Sequence, residues 1–378
     1  MGIHSASASF VRFHVPEPVT EDFWSFVDER LRAGIFKELD EDHDQSAGFA
    51  SWSDIFDTTF AQAGYHIGDY VGISYRVDQR KIAPIIVKQH LRQAVQHYRQ
   101  EHEGHWPSRQ EKQLIREDVT ARLLKRAIPQ PAACDILWNT QQHWLLVGST
   151  GGKLLEGFLE HFEKHFRLYP VPLFHVHWAL HQIPLEPRQQ DILTGLVSPK
   201  SIHALHDGRF LGYEFLTWLW CYSEQPENKV TLKSGRIGSV HLGQRLVLNR
   251  PDDGRERVIC TTQESALHEA RTALQQGKWV QEVQLVLRTG DHEYELTLDT
   301  SLWAIKGLKT PKQLPDFDVE DEEGRFLEKM FFLEEVFSAF DALYAGFLHL
   351  RLGARWESDV LPALRAWMAG RQMDTAGF

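Results

Sequence analysis

Two stretches of helical periodicity flank a break at Gly104–Pro107, and that arrangement leaves the chain few choices between Lys81 and Ala127. Pro84 suits a first helical position, where its missing N–H would have no partner anyway. Val87, Leu91, Ala94, Val95 and Tyr98 then fall on one stripe at about 100° per residue. Ser108-Arg-Gln-Glu111 reads as a capping box, the start signal of a second helix reaching about Ala127. Ile115, Val119 and Leu123 give that helix an apolar face. Two such stripes so close in sequence predict an αα-hairpin with a short tip.

The charge of this segment is unlike that of the chain. Residues 81–127 carry ten cations, Lys81, Lys88, Arg92, Arg99, Arg109, Lys112, Arg116, Arg122, Lys125 and Arg126, against five acids. The segment is thus net +5 within a chain of formal charge −11, which leaves −16 for the rest. Half of that deficit lies in 314–343, with ten acids and two cations. By helical phase Lys88, Arg92 and Arg99 share one narrow stripe, and Arg109, Lys112 and Arg116 share another. Aligned cations of this kind can follow a phosphate backbone without reading bases. A plain solvated helix face is the competing reading. A weaker basic patch at 229–257 includes Lys229, Lys233 and Arg236.

Elsewhere strands and helices are mixed. Phe10–Val15 reads as extended, and Thr20 as the cap of a helix holding Phe23, Phe26, Val27 and Leu31 and stopped by Gly34. Val71, Ile73, Tyr75 and Val77 alternate as in a half-buried strand. Strands are expected at Cys134–Asn139, Trp144–Gly148, Ile237–Asn249 and Arg257–Thr262. Val280–Leu287 and His292–Asp299 flank a Gly290-Asp291 turn and read as a hairpin. Leu154, Leu155, Phe158, Leu159, Phe162 and Phe166 predict a strongly amphipathic helix. Phe210–Ser223 is aromatic-rich and expected to be buried. Leu267, Ala270 and Leu274 predict a further helix ending at Gly277. Pro311–Glu323 reads as a linker into a Phe- and Leu-rich helix reaching about Leu350, with a last short helix holding Leu361, Leu364 and Trp367. This order points to α+β rather than a doubly wound sheet.

A length of 378 residues suggests two domains with an appendage. The expected division is an N-terminal α+β domain at 1–170 containing the hairpin, a second α+β domain at 171–313, and an acidic helical extension at 314–378. Hydrophobic content of 42% and charged content of 25% exclude disorder throughout. Three scattered cysteines, Cys134, Cys221 and Cys260, predict neither a disulfide framework nor a thiolate zinc site. The start shows no signal-peptide core and no myristoylation pattern, and no run of 18 apolar residues is found. The expected setting is cytoplasmic.

Catalytic patterns are mostly excluded. Gly148-Ser-Thr-Gly-Gly-Lys153 resembles a phosphate loop, but Val147 stands at its first glycine position and Leu154 where Ser or Thr belongs. A turn and helix start is the simpler reading. The chain has 20 histidines. His175, His177 and His181 could gather imidazoles, and His161 and His165 are one helical turn apart. No HExxH occurs, so surface or satisfied core histidines are expected and no metal is assigned. A metal-dependent nuclease is the enzymatic alternative, although the acidic-x-Lys of Glu227-Asn-Lys229 precedes Pro315-Asp316 rather than following it.

The segments Lys81-Ile-Ala-Pro-Ile-Ile-Val-Lys-Gln-His-Leu91 and Leu123-Leu-Lys-Arg-Ala127, with the paired strands after them, resemble the recombination-associated RdgC family. The likeness covers 65–170 and, in order and pattern, 230–310. It implies a non-enzymatic protein that binds double-stranded DNA with little sequence preference, forms a dimeric ring with a basic hole, associates with the nucleoid, and restrains RecA in recombination and replication-fork repair. The positions matched by motif are Lys81, Lys88 and Arg126. The other hairpin cations come from helical phase. Ile128 stands where that family commonly has an aromatic residue at a ring interface. No catalytic residue, cofactor or metal is expected. A second alternative is a protein-interaction module working through its acidic C-terminal segment.

Overall fold

The computed structural model describes residues 3, 7–15, 22–40, 43–173, 176–195, 209–226, 228–250, 256–261, 264–300, 304–311 and 322–370. The first elements are β1 (Ser7–His14), α1 (Phe23–Ala33), β2 (Gln45–Ser51), β3 (His66–Ile67), β4 (Tyr70–Arg80), α2 (Pro84–Glu101) and α3 (Arg109–Arg126). Then come β5 (Pro129–Asn139), β6 (Trp144–Val147), α4 (Gly152–Phe166), β7 (Val171–Pro172), α5 (Val176–Gln182), α6 (Pro187–Gly195) and α7 (Arg209–Ser223). The remainder are β8 (Lys229–Thr231), β9 (Ile237–Asn249), β10 (Arg257–Thr261), α8 (Glu264–Gln275), β11 (Trp279–Thr289), β12 (His292–Asp299), β13 (Ala304–Lys309), α9 (Glu322–Arg351) and α10 (Leu361–Met368). The fold is α+β, as the order of patterns predicts.

By backbone packing the chain forms two units. The larger comprises Met1–Pro18, Leu137–Leu155 and Leu168–Phe378, and the smaller comprises Val19–Ile136 and Glu156–Arg167. Neither is contiguous, because strand β1 pairs antiparallel with β13 on one side and β6 on the other.

In the smaller unit β2 pairs antiparallel with β4, Gln45 opposite Gln79 through Ser51 opposite Ile73. Helix α4 supplies Phe158, Phe162 and Phe166, all buried, to a core with Phe49 and Tyr75. The alternation read in β4 is not that of a half-buried strand, since seven successive residues from Tyr70 to Arg76 are buried. The reason is Arg76. Its guanidinium makes two hydrogen bonds to Asp78, at 2.7 and 2.6 Å. It also lies over the Phe36 and Phe56 rings at 4.1 and 4.6 Å. A paired, doubly stacked guanidinium can be covered where a lone cation could not. Gly48 lets the segment after α1 close on β2, because a Cβ would lie 2.4 Å from the Phe36 backbone. The cap of α1 is Asp22, which accepts from the Ser25 N–H at 3.4 Å. Thr20, the cap expected from sequence, lies outside the described residues.

In the larger unit the strand order is β10-β9-β11-β12-β13-β1-β6. The β11–β12 hairpin forms as read, with Gly290 at φ 59 in its turn. Helix α7 buries Phe215, Trp218 and Trp220, and Phe215 meets Tyr344 and Phe347 of α9 edge-on or tilted. The helix expected as an acidic extension is therefore a core element. Its acids face partners. Asp341 accepts from Arg12 at 2.6 Å. Glu335 accepts from Tyr294 and from Arg236, the latter at 3.0 Å. The Glu320–Asp321 part of the acidic run lies outside the described residues.

Candidate nucleic-acid interface

Helices α2 and α3 form as the punctuation requires. Pro84 opens α2, and both arms of the Ser108 capping box are made at the start of α3. The turn between them uses Glu103 and Gly104 at φ 51 and 86. Val95 and Val119 are buried, while Val87, Leu91, Ala94, Tyr98, Ile115 and Leu123 are partly covered.

The acids of the hairpin have internal work. Glu111 accepts from the Tyr98 hydroxyl at 2.6 Å and from the Ser108 N–H at 2.8 Å. The Tyr98 bond, with those from Ser108, holds the Glu111 carboxyl down at about 2. Glu101 lies 3.3 Å from His97, and Asp118 lies 2.9 Å from Arg122. Both pairs are exposed and worth little as stability. The Asp118–Arg122 pair cancels one charge of each sign.

Lys81, Lys88, Arg92, Arg109, Lys112, Arg116, Arg122, Lys125 and Arg126 are all exposed. They do not share one face. A groove on one flank is lined by His90, His97, Glu101, Asp118, Arg122 and Arg126. By helical phase Lys88 and Arg92 lie about 180° from His90 and His97 around α2. Arg109 and Arg116 occupy the corresponding flank of α3. The opposite flank is thus cationic and carries neither Glu101 nor Asp118. Arg116 and Lys125 also border a shallow depression with two acids, Asp44 and Glu117. Arg99 is the exception among the ten. It is half-buried, with its guanidinium 4.1 Å from the Trp106 ring centre and its Nε donating to the Gly104 carbonyl at 3.3 Å.

Two residues outside the sequence reading matter here. Arg80 donates to the carbonyls of Lys125 and Asp40, at 3.4 and 3.2 Å, tying the end of α3 to the strand before α2. Trp106 is 70% exposed at the tip. No periodicity marks either one, because Arg80 ends β4 and Trp106 lies in the connection between α2 and α3.

The basic patch at 229–257 is placed in the larger unit. Lys229, Lys233 and Arg236 are exposed, but Arg236 is held by Glu335. Arg245 and Arg257 both reach Glu282, at 3.8 and 3.1 Å, and Arg250 lies 3.5 Å from Glu256. Most of its charge is therefore already countered.

Gly148–Lys153 is a turn and helix start, with the Gly151 N–H donating to Ser149 Oγ at 3.2 Å. His161 is a core histidine. Its Nε2 lies 2.8 Å from the Gly34 carbonyl, and its ring packs on Phe49 at 4.7 Å. Burial pushes its pKa down to about 4. Between that value and the ordinary one of about 6.5 the unfolded chain binds a proton that the folded chain refuses. This contribution is whole above about pH 6.5 and is lost as pH falls towards 4. In denaturation midpoints read from pH 4 to 7, His161→Phe is expected to flatten that dependence. An unchanged pH profile would show that the ring titrates normally. His175 and the side chains of His177 and His181 lie outside the described residues, as do Glu227 and Pro315–Asp316. Among the described residues no three of His, Cys, Asp or Glu gather where a metal could sit, and no helix is long and apolar enough to cross a membrane.

The family model described as "Putative exonuclease, RdgC" matches residues 11–183. Over residues 11–183 the chain is thus similar to the RdgC family. That span contains the whole smaller unit, hairpin included, together with β6 and the second half of β1. The looser likeness to RdgC over 230–310 lies outside the matched span. No curated protein matches the chain.

Proposed function

We propose that the protein binds double-stranded DNA without sequence preference through the cationic flank of its helical hairpin. The observation that carries this reading is the excess of cations on one flank of α2 and α3. Lys88, Arg92, Arg109 and Arg116 lie there by helical phase, with Glu117 beside Arg116, while Glu101 and Asp118 lie across from them in the groove with Arg122 and Arg126. The likeness of residues 11–183 to the RdgC family supports it. Phosphate contacts position a protein on a duplex but carry no sequence information, so binding of this kind is indiscriminate and falls steeply with salt. The finer reading is a homodimer that closes around or clamps the duplex and limits RecA by occupying it, as a nucleoid-associated protein without enzymatic activity of its own. Ile128, 84% exposed just after α3, stands at the position where an aromatic ring contact is expected in that family.

The family description favours one other reading, a DNA exonuclease. One experiment separates the two. End-labelled duplexes of random sequence are titrated by gel shift at two salt concentrations, then incubated with magnesium or manganese. The expected result is binding that weakens by about 10-fold or more as salt is quadrupled from 50 mM, the loss that a few phosphate contacts bring, with the duplex left full-length. Progressive shortening from the ends would establish the nuclease. No binding at low salt would overturn both.

A further inference from the structure

We infer that Trp106, at the tip of the hairpin, is a stacking site for an unpaired DNA base, which gives the protein a preference for duplexes containing a gap or flap. The inference rests on the proposed DNA-binding flank and deepens it. The indole is 70% exposed, although it is among the largest apolar side chains. It is also held. The Arg99 guanidinium lies 4.1 Å from the ring centre, and Arg99 Nε donates to the Gly104 carbonyl at 3.3 Å. At the end of α2 that carries Arg99, Tyr98 and His102 stack on each other at 3.9 Å, and the Tyr98 hydroxyl is fixed to Glu111. An aromatic ring set in place before binding loses little freedom when a base lands on it.

Position supplies the second argument. Lys88, Arg92 and Arg99 share one stripe of α2, and Arg99 is the last of them before the tip. At about 1.5 Å per residue the row spans roughly 16 Å, the reach of a few phosphates along a strand. A backbone led along this row arrives at an exposed π-face with a cation behind it. Proteins that hold single strands combine these two elements, a basic track and an aromatic platform, and they do so without sequence preference because every base has a π-face. In an intact duplex the bases are already stacked and paired, so the indole gains nothing from them. At a gap or flap an unpaired base is available.

The test uses full-length protein and two probes, a blunt duplex and the same duplex carrying a single-stranded gap with 2-aminopurine at one unpaired position. The wild-type protein is expected to bind the gapped probe more tightly and to quench the 2-aminopurine. Trp106→Ala is expected to weaken gapped binding by about five- to tenfold and abolish quenching, while leaving the blunt duplex within about twofold. Trp106→Phe should restore most of the preference, which a merely structural role at the tip would not predict. Equal affinity of the wild-type protein for both probes, or a Trp106→Ala loss shared by both, would overturn the stacking site while leaving the duplex reading intact. Loss of all DNA binding by the wild-type protein would instead remove the reading beneath it.

Discussion

Reversing Lys88, Arg92 and Arg116 to Glu together is expected to lower duplex affinity by about 10²–10³-fold at 0.1 M salt, equally for every sequence. The size follows from counterion release. Each phosphate contact contributes about 0.9 to the slope of log affinity against log salt, so three lost contacts reduce it by about 2.7. The three residues sit on the flank that excludes Glu101 and Asp118, and none takes part in the Glu111 or Arg80 contacts that hold the hairpin. The fold should therefore survive, which circular dichroism checks. The paired control is Arg122→Glu with Arg126→Glu, two cations on the groove flank. That variant should lose clearly less. Equal losses from both variants would mean that the protein engages DNA with the hairpin as a whole. An unchanged salt slope in the triple variant would mean that the interface lies elsewhere.

The second large effect concerns the larger unit. Asp341→Ala is expected to cost about 3–5 kcal/mol, the range for removing one partner of a buried ion pair. Arg12 and Asp341 meet at 2.6 Å with side chains 5% and 12% exposed. Arg12 also lies over Phe337 and Trp178, at 4.7 and 5.6 Å. Without Asp341 its charge stays among aromatic rings with no counter-ion. Urea denaturation followed by tryptophan fluorescence measures the loss. Replacing both residues, as Arg12→Met with Asp341→Leu, should recover most of it, because an apolar pair of similar size carries no uncompensated charge. A single-variant loss below about 1 kcal/mol would show that water reaches Arg12 and shares its charge.

The same pair alters what a C-terminal deletion could reveal. Residues 315–378 look separable in sequence as an acidic tail. In the fold they include α9, whose Phe332, Leu333, Val336, Phe337, Phe340 and Phe347 are buried. Removing them would unfold the larger unit, so loss of a partner after such a deletion would say nothing about an interaction module. Among the described residues of α9, the acids Glu328, Glu334, Glu335 and Asp341 are buried or half-buried. Burial raises the Glu335 carboxyl pKa, but hydrogen bonds from Tyr294, His292 and Arg236 outweigh it and leave the group below its ordinary value.

The helical hairpin was legible because its signals are local. Pro84, the Ser108–Glu111 box and the Val87–Tyr98 stripe each act over three to four residues, the distance at which helix neighbours meet. The flank was legible for the same reason, since helical phase orders side chains without reference to the rest of the chain. Which acids oppose those cations was not legible. Tyr98 is 13 residues from Glu111 in sequence, and only the closing of the hairpin brings them together.

The sequence by itself determined the α+β class, most of the longer elements though not β2, β13, α5 or α6, the basic hairpin and the RdgC resemblance now matched over residues 11–183. Tertiary structure alone decided that β1 lies between β13 and β6, that Arg12 meets Asp341 across 329 residues, and that α9 packs one side into the core. The outer stripe of α9 carries Leu327 and Phe331, 47% and 50% exposed, while Glu335 is buried, so its sequence has no polar phase to tell the outer face from the inner one. The partners that satisfy such acids are set by chain closure over hundreds of residues, a distance at which no sequence periodicity carries information.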